Sequence, residues 1–189
     1  MNIFVLDNNP IKAAAAMDCV RVPKMVTESA QMMASALRRY DATDEQMPLT
    51  KSGKPYRGGY KHHPCTVWAG DTRANFKWLA HHAEALLDEY YKRFGKVHAC
   101  HIPIYQMSRM SKMIPEGDLT PFALAMPDEF RPNHSHRYPT VVKGDSHASG
   151  DDAVQAYRAY YHSKADSPGG VHYRHTSPPD WWQGVEVTA

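Results

Sequence analysis

Residues 71–95, DTRANFKWLAHHAEALLDEYYKRFG, decide the fold class of this chain. Apolar residues recur here every three or four positions, which is the period of one helical face. Asp71 is the expected N-cap, and Gly95 is the expected residue just beyond the C-terminus. The stretch therefore predicts a long amphipathic helix over residues 72–94. Its buried stripe consists of Phe76, Leu79, Ala83, Leu86, Leu87, Tyr90 and Phe94.

Shorter elements are expected on both sides of this helix. Residues 2–6 are an apolar run that predicts a short strand or an extended arm. Pro10 fits the first turn of a helix, Pro103 interrupts one, and Asp151 can cap one. The other helical segments expected from the pattern are residues 13–16, 24–39, 98–113 and 151–163.

Two long segments read as loops. Residues 41–62 are polar and basic, and residues 114–150 are rich in proline and glycine and include His134-Ser135-His136. The chain has 189 residues, which suits one domain of residues 1–182 followed by a tail of residues 183–189. We expect a compact, mainly helical (all-α) single domain with long loops.

Composition narrows the class of protein. The net charge is +2 with neutral histidine, and 12 histidines can add positive charge in mild acid. Three widely spaced cysteines argue against a secreted disulfide scaffold. The sequence shows no membrane-spanning run and no signal peptide, so we expect a cytoplasmic protein, in the host cytoplasm if it is phage-encoded. Motifs of nucleotide hydrolases and serine hydrolases are missing.

The first candidate site is a face of the helix at residues 24–39. Lys24, Glu28 and Gln31 share this face, and Arg21 extends it if the helix begins early. Two cations beside one carboxylate stabilise its negative charge, so Glu28 could act as a general base or stabilise a cation that develops on a sugar. The alternative is an ordinary solvated helix face.

The second candidate is the segment Lys61-His62-His63-Pro64-Cys65, which is followed by Trp68. Cationic and imidazole side chains suit contacts to phosphate, and a nearby aromatic ring suits stacking on a base. The alternative is a loop in which Pro64 sets a turn and Trp68 belongs to the core.

Two further clusters of residues are candidate binding sites. Arg158 and His162 lie one helical turn apart beside tyrosines, which suits a cationic stacking surface or, alternatively, an amphipathic helix with a tyrosine core. Zinc-type ligands occur without CxxC or HExxH spacing, so we expect no metal and no other cofactor. These ligand types are found at His62, His63, Cys65, His98, Cys100 and His101.

Several segments together resemble the phage pyrimidine-dimer DNA glycosylase family of the endonuclease V type. Arg21-Val22-Pro23-Lys24 is similar to a basic, proline-containing helix junction of that family. Members of that family have a turn, then a glycine, then a long helix. This chain has the same order in the segment from His63-Pro64 to Gly70 and the long helix that follows it. The other similar stretches are Met126-Pro127-Asp128-Glu129-Phe130-Arg131, Gln155 to His162, and Pro179-Asp180-Trp181-Trp182. The chain also resembles a group of phage proteins that begin with Met-Asn-Ile-Phe. The motifs that it has in common with them are Lys24-Met25 with Glu28, His63-Pro64, and Gly95-Lys96-Val97-His98.

The resemblance implies a compact helical fold that binds and kinks duplex DNA and flips a base. It also implies a reaction in which an N-terminal amine, aided by a glutamate, attacks the sugar C1′. Arg21 stands where the family has its catalytic glutamate, and Asn2 predicts that Met1 is retained. We therefore expect Glu28, Arg21 and His63 to be catalytic. The expected DNA or substrate contacts are Asn2, Lys24, Lys61, His62, Trp68, Asn75, Arg93, His98, Arg158 and His162.

Three functional hypotheses follow. The first is an enzyme that binds double-stranded DNA and removes a damaged or modified pyrimidine, as in DNA repair. The second is a non-catalytic DNA- or nucleotide-binding protein of the same fold. The third is a transferase that modifies thymidine in phage DNA. No protein partner and no membrane partner are expected from the sequence.

Overall fold

The structure is a computed structural model that describes residues 1–132 and 146–184, and α-helices dominate it. The prediction of a mainly helical fold is confirmed. Two-residue strands, β1 (Phe122–Ala123) and β2 (His147–Ala148), pair antiparallel with Phe122 opposite Ala148. Single 3₁₀ turns occupy Ser111–Met113 and Asp128–Phe130. The helices are α1 (Pro10–Ala15), α2 (Arg21–Arg39), α3 (Pro64–Asp71), α4 (Arg73–Phe94), α5 (His101–Ser108) and α6 (Gly150–His162).

Helix α4 is the long helix expected from the sequence, and its N-cap differs from the expected one. Thr72 caps the helix, because its backbone is extended and its hydroxyl accepts a hydrogen bond from the N–H of Asn75. Asp71 is instead the last residue of α3. The helix ends at Gly95, whose φ of +62° is the left-handed conformation that glycine adopts readily.

The core forms where α4 packs most extensively against α1 and α2, and α2 also packs against α3. Phe76, Leu79 and Leu86 of α4 are fully buried. Helix α2 begins at Arg21, three residues earlier than the start expected from the pattern. Pro23 is its third residue, and the N–H groups of the first turn have no partner within a helix, so the proline costs no internal hydrogen bond. Within the described ranges, no helix is both long and apolar enough to cross a membrane.

The N-terminal arm, residues 2–6, forms no strand, yet Ile3, Val5 and Leu6 are fully buried. The side-chain oxygen of Asn2 accepts hydrogen bonds from the N–H groups of Ile3 (2.7 Å) and Phe4 (2.9 Å). The Asn2 amide nitrogen donates to the carbonyl of Ala125 at 2.8 Å. These bonds hold the first residues of the chain inside the molecule.

Several boundaries differ from the expected ones. Pro103 lies in the first turn of α5 and so begins that helix rather than interrupting it. Helix α6 follows Ser149 as its N-cap residue, and Asp151 lies within its first turn. The cluster His134-Ser135-His136 and residues 185–189 lie outside the described residues. The division into a domain of residues 1–182 and a tail therefore stays a prediction.

Candidate active site

The N-terminal amine and the Glu28 carboxylate are neighbours. The amine nitrogen of Met1 lies 3.7 Å from Glu28 Oε2, and the N–H of Asn2 donates to the same oxygen at 3.0 Å. The Lys24 ammonium lies 3.7 Å from Oε1, one helical turn earlier on α2. Two cations and one backbone donor thus hold this carboxylate in place.

The side chain of Met1 belongs to the fold. It is 1% exposed, and its sulfur accepts a hydrogen bond from the Thr66 hydroxyl of α3 at 3.3 Å. The buried arm and this contact fix the amine over α2. If Met1 were removed, the Asn2 nitrogen would become the terminal amine, and it already contacts Glu28.

Two cavities border this pair. One, of about 350 Å³, is lined by Met1, Glu28, Lys24 and residues that include Gln31 and Tyr60. The other, of about 300 Å³, shares Met1, Lys24 and Glu28 and is closed by part of the C-terminal region, which includes Lys164. Glu28 is 13% exposed, whereas Lys24 is 70% exposed, so a ligand can reach the carboxylate while the lysine stays in solvent.

His63 lies at the beginning of α3, within electrostatic range of the amine and Glu28. Its Nδ1 accepts a hydrogen bond from the N–H of Cys65, so a neutral ring carries its proton on Nε2. Burial lowers the pKa of His63, the positive amine lowers it further, and Glu28 opposes both. Cys65 is fully buried, and burial raises the pKa of its thiol to about 12, which makes it a poor nucleophile.

A cationic cleft of about 540 Å³ lies between α2, α3 and the loop before α3. It brings together Lys61 and His62, which were predicted from the sequence, with Arg57, which was not. The rest of its lining includes Arg38 and Arg39 of α2, which pair with Asp44 and Asp71. Arg57 pairs with the same Asp44, whereas Lys61 and His62 are exposed side chains of the cleft.

Three residues predicted to contact DNA are internal. Trp68 is 1% exposed and packs on Trp78 and Phe122, so it belongs to the core. Asn75 is fully buried and donates to Trp68 O at 2.8 Å. Arg93 is 6% exposed and anchors the end of α4 to the carbonyl oxygens that follow α1. Helical periodicity could not separate these buried polar groups from exposed ones.

The basic residues expected to clamp phosphates are also engaged internally. Arg21 Nη1 donates to Asp18 Oδ2 (2.8 Å) and to the carbonyl of Gly170 (2.9 Å). Arg158 Nε donates to the carbonyl of Leu6 at 2.9 Å. His162 stacks on a tryptophan, and its Nε2 accepts a hydrogen bond from the N–H of Gln183. These three side chains tie α2 and α6 to their neighbours, although Arg21 also lines the smaller of the two cavities at Glu28.

Two further predicted contacts have local roles. Asn2 is 6% exposed and folds the N-terminal arm, although its backbone nitrogen touches Glu28. His98 accepts a hydrogen bond from the N–H of Cys100 before α5, and burial lowers the pKa of this histidine. In the part of the chain that the structure describes, no three histidine, cysteine or acidic side chains come close enough to hold a metal ion.

Two residues at the cavities do not follow from the sequence pattern. Tyr60 follows Gly58-Gly59 in a loop whose sequence indicates only its basic charge. Lys164 follows α6, far along the chain from Glu28. A tyrosine directly after two glycines is a weak signal for Tyr60. No local pattern indicates Lys164.

Comparison with known proteins adds one match. A family model described as pyrimidine dimer DNA glycosylase matches residues 1–102, which include α1 to α4, the amine, Glu28 and His63. No curated protein and no solved structure matches the chain significantly. The matched segment covers more than half of the chain and carries both members of the amine–carboxylate pair. The chain belongs to the pyrimidine dimer DNA glycosylase family.

Proposed function

We propose that this protein binds double-stranded DNA and excises a pyrimidine base through its N-terminal amine, with Glu28 as the catalytic carboxylate. The observation that carries the proposal is the 3.7 Å separation between the amine and Glu28, at the boundary of two solvent-accessible cavities. Family membership supports the reaction class. The buried arm supports the precision of the geometry, because it leaves the amine little freedom.

The proposed reaction replaces the bond between C1′ and the base with a bond between C1′ and the amine nitrogen. Glu28 accepts a proton from the ammonium, and the free amine attacks the sugar C1′. The bond between C1′ and the base breaks, its electron pair leaves with the base, and the base takes up a proton. The nitrogen then loses a proton, its lone pair forms the second C1′–N bond as the C1′–O4′ bond breaks, and O4′ takes up a proton, so that a protonated imine joins the amine nitrogen to C1′. Once Glu28 has passed its proton to the departing base, its carboxylate stabilises the positive charge on the sugar.

We assign His63 a supporting role in this reaction. Its Nε2–H can donate a hydrogen bond to the negative charge that grows on the departing base. A neutral ring suits this role, because its Nδ1 is already occupied by the N–H of Cys65. Burial and the positive amine lower the pKa of His63, against the opposing effect of Glu28, and this favours the neutral ring.

The cationic cleft supports binding to a DNA backbone. Lys61 and His62 are exposed side chains of this cleft, and the exposed ammonium of Lys24 lies at the neighbouring cavity. Such groups contact phosphates without reading sequence. We therefore propose that the backbone runs from the cleft past the amine.

Borohydride trapping tests the proposal directly. Reduction of the imine would join the protein to a duplex that carries an abasic site or a cyclobutane pyrimidine dimer. Intact mass and peptide mapping would identify the reacting nitrogen, including whether Met1 is retained. We expect an adduct at the N-terminal residue and none after selective acetylation of the amine.

Glu28→Gln tests the carboxylate. This variant keeps the shape of the side chain but neither accepts a proton nor carries charge, so trapping should fall by about a hundredfold or more. DNA binding should be unchanged or slightly tighter, because a negative charge is removed. Glu116→Gln is the matched control, because Glu116 is exposed and lies in the loop after α5. Parent-like trapping by Glu28→Gln would exclude the proposed role.

A non-catalytic DNA-binding protein of the same fold is the second candidate. The observation that favours it is the ion pair between Arg21 and Asp18 at 2.8 Å, because the resemblance matches Arg21 to the family's catalytic glutamate. Specific DNA binding without an adduct on any of the tested duplexes would favour this alternative.

A further inference from the structure

Tyr60 has a conformation that its own packing does not explain. Its φ is +54°, a left-handed backbone conformation that bulky residues rarely adopt. Its side chain is 71% exposed, and the tyrosine does not belong to the hydrophobic core or to the layer packed against it. Glycine would adopt this conformation without strain, and Gly58 does so two residues earlier with a φ of +78°. A strained, exposed aromatic residue indicates a functional role.

The loop around Tyr60 is held firmly. A Cβ on Gly58 would lie 2.2 Å from Ser35 Oγ and 2.6 Å from the Ser35 backbone nitrogen, so the loop touches α2 directly. Ser35 Oγ accepts a hydrogen bond from the N–H of Gly59 (2.8 Å) and donates one to its carbonyl (2.9 Å). The carbonyl of Tyr60 accepts a hydrogen bond from the N–H of His63 at 2.8 Å. The tyrosine is therefore presented from a fixed backbone.

The cavity beside Tyr60 is the one that contains the amine. Its described lining includes Met1, Lys24, Glu28 and Gln31, and Tyr60 is the aromatic member. A planar aromatic ring next to the reactive pair can stack on the face of a nucleobase. Trp68, the ring expected to do so from the sequence, is buried in the core.

We propose that Tyr60 stacks on a nucleobase that leaves the DNA helix at the target site. This inference rests on the proposed function, because it takes the cavity beside the amine as the place where the base lies. Stacking uses the face of the tyrosine ring, so the hydroxyl is dispensable. The carboxamide of Gln31, in the same cavity, offers a donor and an acceptor for the edge of the base.

A binding experiment tests the role of Tyr60 without requiring catalysis. Two duplexes are compared that differ only at one extrahelical position, which is thymidine in one and an unreactive tetrahydrofuran abasic analogue in the other. We expect the parent protein to prefer the thymidine duplex by about tenfold, as is typical for the stacking of one base on an aromatic side chain. Tyr60→Ala should abolish this preference, and Tyr60→Phe should keep it.

Two further variants make the result specific. Tyr60→Gly accommodates the left-handed backbone, so it should keep the loop in place and still lose the preference. Tyr91→Ala removes an exposed tyrosine of α4 that does not line the cavity, and it should bind like the parent. A parent without preference, or Tyr60→Ala and Tyr60→Gly variants that retain it, would overturn the stacking role. Failure of the parent to form the borohydride adduct would contradict the proposed reaction separately.

Discussion

His82 provides a quantitative test of how a buried histidine makes the free energy of unfolding depend on pH. Its side chain, on α4, is fully buried and stacks on Trp78 with ring centroids 5.1 Å apart. Neither of its ring nitrogens has a hydrogen-bond partner among the described residues. Burial lowers the pKa of His82 to about 3, whereas the unfolded chain should restore it to about 6.5.

The direction and size of the pH effect follow from these two values. Below about pH 6.5 the unfolded state binds a proton that the folded state does not accept until about pH 3. The stability contributed by a neutral His82 is therefore complete above about pH 6.5 and is lost as the pH falls. From about pH 7.5 to about pH 5, the loss in unfolding free energy is about 2 kcal/mol, or about 4–8 °C in Tm. Burial also lowers the pKa of His63 and His98, which adds to the effect in the parent.

His82→Phe removes this titration and keeps a planar ring against Trp78. Urea unfolding followed by circular dichroism, at about pH 7.5 and about pH 5, should show about 2 kcal/mol less acid destabilisation than in the parent. Any packing cost of the larger ring lowers the free energy of unfolding equally at both pH values, so it cancels from this difference. His81→Phe is the control, because His81 is the adjacent exposed histidine of α4. Equal acid destabilisation of His82→Phe and the parent would refute the reasoning.

Three other expectations concern the core, the loop and the DNA. Leu86→Ala should lower the unfolding free energy by about 2–5 kcal/mol, because Leu86 is fully buried; a loss below about 1 kcal/mol in urea unfolding would contradict this packing. Gly58→Ala should push the loop off Ser35 and, like Tyr60→Ala, abolish the preference for the thymidine duplex, whereas a parent-like preference would show that the contact is not needed. Lys61→Ala should weaken DNA binding and reduce the slope of log K against log salt by about one unit, and an unchanged slope would remove Lys61 from the interface.

The parts of the site that follow from local pattern could be predicted. The spacing of Lys24, Glu28 and Gln31 placed them on one face of α2, and these three residues line the cavity beside the amine. Lys61 and His62 were expected on a basic loop, and both line the cationic cleft. Each of these expectations depends on residues that are close together in the chain.

Other residues predicted to contact DNA have partners within the fold, because burial depends on contacts between distant segments. Asn75 and Trp68 carry groups suited to DNA contact, but Thr120 and Phe122, which lie in and next to β1 more than forty residues away, cover them. Arg21 suited a phosphate clamp, yet the carbonyl of Gly170 lies 2.9 Å from its guanidinium. A polar side chain looks the same in sequence whether its partner is solvent or another part of the protein.

The helical class, the long helix α4 and the resemblance to a DNA glycosylase family follow from the sequence, because periodicity and short motifs are local properties. The position of the amine, in contrast, depends on tertiary packing. The bond from Asn2 to the carbonyl of Ala125 joins residues 123 positions apart, and it helps to hold the terminus over Glu28. Tyr60 likewise gained its place at the cavity only when Gly58 packed against α2. These placements arise from the packing of distant segments, which no local pattern encodes.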